Sequence, residues 1–141
     1  MSMANVNIVQ RCWEAWGRDQ VEVVLDLMDP DAVWDFSRYD PWQGEPVITG
    51  RAAIQALLEA RMIETGPRGV QATAFFDGGD TVLVHCWLSL PSANGDARQD
   101  ERWASVYTLR EGRVVRADTF SDRDEARVAA GLAARRDPLK A

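Results

Sequence analysis

The chain has 141 residues, 46% hydrophobic and 27% charged, which fits one folded domain and argues against disorder. Sixteen Lys and Arg against 22 Asp and Glu leave a net charge of −6, and no basic cluster is present to release counterions, so nucleic acid and anionic membranes are disfavoured as partners. No apolar run approaches the ~18 residues of a membrane span, and Met1–Gln10 carries no basic segment ahead of its apolar residues, which gives the expectation of a soluble, cytoplasmic protein.

Val6, Val9, Trp13 and Trp16 recur at helical spacing, with Ile8 and Cys12 on the same apolar face, and predict a first helix. Gly17-Arg18-Asp19 breaks it. Val21, Val24, Leu25 and Met28 carry a second helix, ended by Asp29-Pro30-Asp31 because proline cannot continue one. Ala32–Phe36 follows as a short strand with Trp34 and Phe36 on one face. Ser37–Gly50 reads as a loop from its prolines and glycines, with unusual aromatic content in Tyr39 and Trp42.

Gly50-Arg51 opens a third helix, striped by Ile54, Leu57, Leu58 and Met62 and stopped by Gly66-Pro67-Arg68-Gly69. The strand-like runs Val70–Phe76, Thr81–Leu90, Arg98–Leu109 and Arg113–Ser121 are separated by turn chemistry at Asp77-Gly78-Gly79-Asp80, Pro91–Gly95 and Arg110-Glu111-Gly112. Asp122, with Glu125 three residues on, predicts a capped last helix, and Gly131 its stop. Residues 1–132 then form one domain, with 133–141 as a flexible tail. Helices cluster early and strands late, in the order α-α-β-α-β-β-β-β-α, which indicates an α+β fold with one curved antiparallel sheet.

Cys12 and Cys86 lie in no C-x-x-C and are expected as reduced, apolar thiols. His85 is the only histidine, so no His-based metal cluster can form, and the Asp-Gly-Gly-Asp and Asp-Pro-Asp runs suit tight turns better than calcium. No metal and no cofactor is expected.

Three segments, VQRCWEAWGRDQVEVVLDLMDPDAVWDF, ITGRAAIQALLEA and YTLREGRVVRADTFSDRDEA, resemble the nuclear transport factor 2-like superfamily in its SnoaL-like, polyketide cyclase-like branch. The resemblance runs from about Val6 to Leu132. It implies a cone-shaped, cystatin-like α+β barrel in which one curved antiparallel sheet wraps the N-terminal helices and encloses an apolar cavity. It leaves the reaction open, because this fold hosts isomerases, cyclases, dehydratases, epoxide hydrolases and non-catalytic binders.

The family register turns Trp34, Phe36, His85, Trp87, Trp103, Ser105, Tyr107, Ala117 and Thr119 inward, with Tyr39 and Trp42 near the mouth and Asp35 and Asp118 pointing away. A three-residue loop at Arg110-Glu111-Gly112 keeps Trp103 and Thr119 on one face. The family's catalytic carboxylates are missing here. The base position of ketosteroid isomerase-like enzymes falls on Phe36, and their oxyanion donors fall on Cys12 and Ser105. The aspartate of the polyketide cyclases and limonene epoxide hydrolases falls on Thr119, and the hydrolase's other polar positions fall on Trp34, Phe36, Leu83 and His85.

The expected ligand set is therefore Trp34, Phe36, Tyr39, Trp87, Trp103, Ser105, Tyr107 and Thr119, around a hydrophobic, cyclic small molecule. His85 is the candidate acid or base for isomerase, cyclase, dehydratase or hydrolase-type chemistry, Glu101 a possible partner for it, and Tyr107 or Ser105 hydrogen-bond donors. Two other readings stay open: a non-catalytic binder, and a dimeric module with a filled core. A homodimer is expected on the outer face of the sheet, listed by the same parity as Val82, Val84, Cys86, Leu88, Ala104, Val106, Thr108, Val114, Arg116, Asp118 and Phe120.

Overall fold

The helical periodicity at the N-terminus is realised in α1 (Ala4–Gly17) and α2 (Val21–Asp26). In the structure, a computed structural model describing residues 3–65, 69–91 and 98–132, these are followed by β1 (Met28–Arg38), β2 (Val47–Thr49) and α3 (Arg51–Thr65). The chain continues through β3 (Val70–Asp77), β4 (Thr81–Pro91), β5 (Arg98–Arg110), β6 (Arg113–Phe120) and α4 (Arg123–Ala129). The expected helix stop at 66–68, the turn at 92–95 and the tail at 133–141 lie outside the described residues.

Two local expectations change. β1 starts at Met28 rather than Ala32, and Pro30 sits inside it. Its missing N–H is tolerated because the pairing of β1 with β6 shifts register between Met28 and Val33, so no ladder bond is needed there. The segment expected as plain loop contains β2, whose three residues pair with Val33–Asp35 and are too few to leave a periodic signal.

The strands form one six-stranded sheet in the order β2-β1-β6-β5-β4-β3. Its ladders are antiparallel except β1–β6, which is parallel. α1, α2 and α3 bury Val9, Cys12, Trp16, Val24, Ile54 and Leu58 against the concave side, together with Val82, Val84, Cys86, Tyr107 and Ala117. This is the α+β cone that the resemblance implied.

The β5–β6 hairpin reaches the expected parity by another route. Arg110 pairs with Arg113 across a two-residue turn, with Glu111 at φ 53° and Gly112 at φ 80°, the pattern of a type I′ turn. The extra residue is taken up by a bulge: Leu109 faces Val114, but Thr108 faces Arg116. Ser105 therefore lies opposite Thr119, as expected, while Val114 turns inward and joins the main core.

On β4 the expected parity is inverted. Cys86 pairs with Trp103, Val84 with Ser105 and Val82 with Tyr107, so the inward residues are Val82, Val84, Cys86 and Leu88. His85 pairs with Ala104 and Trp87 with Arg102, which sets both on the convex face. The physical reason is that Leu83 and Trp87 interrupt the polar alternation on β4: Thr81 and His85 mark the convex face, but Leu83 between them is as fully buried as Val82 and Val84, and the family register set against that weak pattern turns His85 inward.

Leu83 is buried because α4 covers the convex face, packing Ala126 and Ala130 on Leu83, Ala104, Val106 and Phe120. Asp122 caps this helix as expected, accepting from the N–H groups of Asp124 and Glu125 at 2.8 and 3.3 Å. The Glu125 carboxylate pairs with Arg38 at 2.6 Å instead of completing a capping box. The outer patch drawn up for a homodimer thus loses Val82, Val84, Cys86, Leu88 and Val114 to the interior, and much of the remainder to α4.

Candidate functional site

Alternation along three neighbouring strands supplies one wall of an internal cavity: Trp34 and Phe36 from β1, Trp103, Ser105 and Tyr107 from β5, and Ala117 and Thr119 from β6. Trp34 and Ala117 are direct partners, as are Ser105 and Thr119. The helices supply the opposite wall through Cys12, Trp13 and Trp16 of α1, Val24 of α2, and Leu57, Leu58 and Arg61 of α3. The space between the walls, open on one side, is about 120 Å³. A dry cavity of about 150 Å³ admits benzene, so this one matches a single ring.

The mouth is more polar. The Tyr39 hydroxyl donates to Glu101 Oε2 at 2.6 Å, and burial, followed by that bond to a carboxylate, holds the phenol pKa above its usual value. The Tyr39 ring lies 5.8 Å from that of Trp103, tilted by 53°. Phe36 meets Trp34 edge-on at 6.5 Å and stacks on Trp42 at 3.9 Å. Trp42 is held by its indole N–H on Glu45 O at 2.9 Å, and the Arg61 guanidinium lies 5.7 Å from the centre of its ring.

Inside, Ser105 and Thr119, 5% and 7% exposed, share a hydrogen bond at 3.3 Å. Burial raises the Tyr107 phenol well above its usual pKa and pushes the Cys12 and Cys86 thiols up to about 12, so none of the three ionises near neutrality. Both cysteines are free and buried, as expected. The indole nitrogens of Trp13, Trp16 and Trp34 are buried and have no hydrogen-bond partner. The Trp13 N–H is directed toward the Tyr107 hydroxyl and opposes the rise in its pKa, yet lies outside hydrogen-bond geometry. A buried donor left unpaired costs about 1–3 kcal/mol, and all three occur in rings that line the cavity.

Of the residues expected at the site, Trp34, Phe36, Tyr39, Trp103, Ser105, Tyr107 and Thr119 line the cavity. His85 and Trp87 do not. His85 lies across the sheet, with its ring 4.9 Å from Phe76, and it cannot act as an acid or base on a molecule held inside. Cys12, Trp13, Trp16, Leu57, Leu58 and Arg61 were absent from the expected ligand set. In the sequence Trp13, Trp16, Leu57 and Leu58 read as apolar helix stripes, a pattern that a filled core and a cavity wall share. Among the described residues, no group of three or more His, Cys, Asp or Glu side chains could hold a metal, and no helix is long and apolar enough to cross a membrane.

An aromatic cavity between three N-terminal helices and the concave side of a mixed sheet defines a class of protein, the cone-shaped α+β pocket proteins. Within that class the model of the SnoaL-like domain matches residues 9–117, and the chain belongs to the SnoaL-like family. No functionally curated protein matches the sequence. Among solved structures, TerC co-crystallised with polyporic acid is similar at 19% identity, over 91% of this chain and 98% of that one, with a TM-score of 0.68. An NTF2-like protein of unknown function from Burkholderia pseudomallei shares 20% identity over 91% and 97%, with a TM-score of 0.67. A cystatin-fold protein from Novosphingobium aromaticivorans shares 16% over 84% and 99%, with a TM-score of 0.67. At such identities the likeness shows the fold alone.

Proposed function

We propose that this chain binds a small, hydrophobic, single-ring molecule in its cavity. One observation carries the reading: the cavity is walled by aromatic and aliphatic side chains, and among the described residues no carboxylate or imidazole lines it. Proton transfer by His85 loses its place, because the imidazole is on the other face of the sheet. The co-crystallisation of TerC with polyporic acid is consistent with a ligand-binding use of this fold. Titration with toluene and with the two-ring naphthalene, followed by tryptophan emission, tests the reading. Saturable one-to-one binding of toluene, with naphthalene much weaker, is expected. No saturable binding of toluene up to its solubility limit would return the cavity to the status of a filled core.

A catalytic reading rests on a different observation, the 2.6 Å bond between Tyr39 and Glu101 at the mouth. A carboxylate paired with a phenol there could pass a proton to or from a bound ligand. Exchange of the α-protons of cyclohexanone in D2O measures it. Protein-dependent exchange that disappears in Glu101→Gln, with binding retained, supports catalysis, and exchange at the solvent rate in the unaltered chain removes it.

A further inference from the structure

We propose that the molecule held in this cavity is a ring bearing one carboxylate, with the ring inside and the carboxylate at the open side, on the Arg61 guanidinium. This deepens the binding reading above and rests on it. Among the described residues, Arg61 is the one charged side chain on the cavity lining. It belongs to α3, is half-buried, and its guanidinium lies 5.7 Å from the centre of the Trp42 ring. Trp42 stacks on Phe36, and Phe36 lines the cavity, so the cation stands at the rim of the space. Its charge is also felt at Tyr39, a second lining residue at the mouth, where it opposes the rise of the phenol pKa. A guanidinium lying over a ring uses its face, and its in-plane N–H groups keep the fork geometry that matches a carboxylate.

The other ligand chemistries fit less well. Glu101, the carboxylate at the mouth, is not among the side chains that line the cavity, and its charge is met by the Tyr39 O–H at 2.6 Å. A cationic ligand, which a cluster of aromatic rings would otherwise attract, meets the Arg61 charge already lying over Trp42. An uncharged polar ligand has the buried Ser105 and Thr119 hydroxyls, but these already bond each other at 3.3 Å. A carboxylate among the apolar walls would lose its hydration. At the open side it keeps water on one edge and takes N–H donors on the other. The space, about 120 Å³, holds one ring, which leaves a substituent on that ring to emerge at the mouth.

The test compares two acids, benzoate and phenylacetate, with their uncharged amides, benzamide and phenylacetamide, and with toluene and benzylamine. Affinities are read from tryptophan emission, and each probe is competed against toluene, which separates the cavity from a surface site. At least one acid should bind about tenfold tighter than its amide, and benzylamine should bind more weakly than toluene. In Arg61→Gln the preference for the acid should disappear. In Arg61→Lys, which keeps the charge and loses the fork, it should fall only in part. The preference compares two probes on one variant, so a loosened rim moves both alike. With toluene bound, three results would overturn the inference and leave the cavity reading standing: acids no tighter than their amides, acids that do not displace toluene, or a preference that survives in Arg61→Gln. Failure of toluene to bind would overturn both. The acid and amide are compared first on the unaltered chain, so the test survives a variant that fails to fold.

Discussion

On the convex face of the sheet, Arg116 bridges Asp35 and Asp118 at 2.9 Å, Arg123 donates to the carbonyls of Cys86 and Trp103, and Thr81 donates to Ala130 O at 2.6 Å. On the concave face of the same strands, the Ser105 and Thr119 hydroxyls bond each other, and the side chains around them are aromatic and aliphatic. The convex face is closed by its own polar groups and by α4. The concave face, with the helices above it, is left with a cavity of about 120 Å³. One sheet thus carries a face packed for closure and a face packed around a space.

The comparison breaks most visibly at tryptophan. Trp103→Ala, on the concave face, should destabilise the fold by about 3–5 kcal/mol and abolish probe binding. Trp87→Ala, half-buried on the convex face, should cost about 1–2 kcal/mol and leave probe affinity unchanged. Chemical denaturation with a parallel toluene titration measures both, and equal effects on affinity would merge the two faces.

Gly78→Ala probes the convex closure. A Cβ there would press against Thr81 Oγ1 and the Ala130 carbonyl, the pair that ties α4 to the turn before β4. The expected loss is about 1–3 kcal/mol, with faster amide exchange in α4 and no change in probe affinity.

These pairs also mark what the sequence could tell. β1 and, past its bulge, β6 were oriented correctly because each has a polar face to mark the outside: Asp35 beside Trp34, and Arg116 and Asp118 beside Ala117 and Thr119, whereas Val114, before the bulge, was not. β4 was not, because Leu83 is buried under a helix that lies far along the chain and breaks the polar alternation of Thr81 and His85, which sit on the face opposite to the one expected for His85. A one-residue error on such a strand exchanges the whole set, and it moved both His85 and Trp87. The helical half of the cavity was missed for a related reason: Trp13 and Trp16 satisfy an apolar stripe, and a stripe does not say whether the rings meet side chains or a space.

His85→Gln gives a smaller effect. With the imidazole on the convex face, stability should change by less than about 1 kcal/mol and probe affinity should not change. A loss of binding would put His85 back at the cavity.

The smallest effect expected is in acid. The Asp35 carboxyl is held below its ordinary value near 3.8, first by its hydrogen bond with Ser37 and then by Arg116. A lowered folded pKa gives stability that is present above the unfolded value and lost as pH falls through the folded one. At this partly exposed site it is worth less than about 1 kcal/mol. Asp35→Asn should flatten the stability profile below about pH 4 and leave it parallel to the parent above.

The most direct measurement of the central claim is a crystal soaked with iodobenzene, a single ring whose iodine is located by its anomalous signal. The account predicts one ordered iodine within van der Waals reach of Trp34, Trp103 and Tyr107, on the concave side of the sheet. Iodine found only beside Trp87 and His85 on the convex side, with the interior empty, would contradict it.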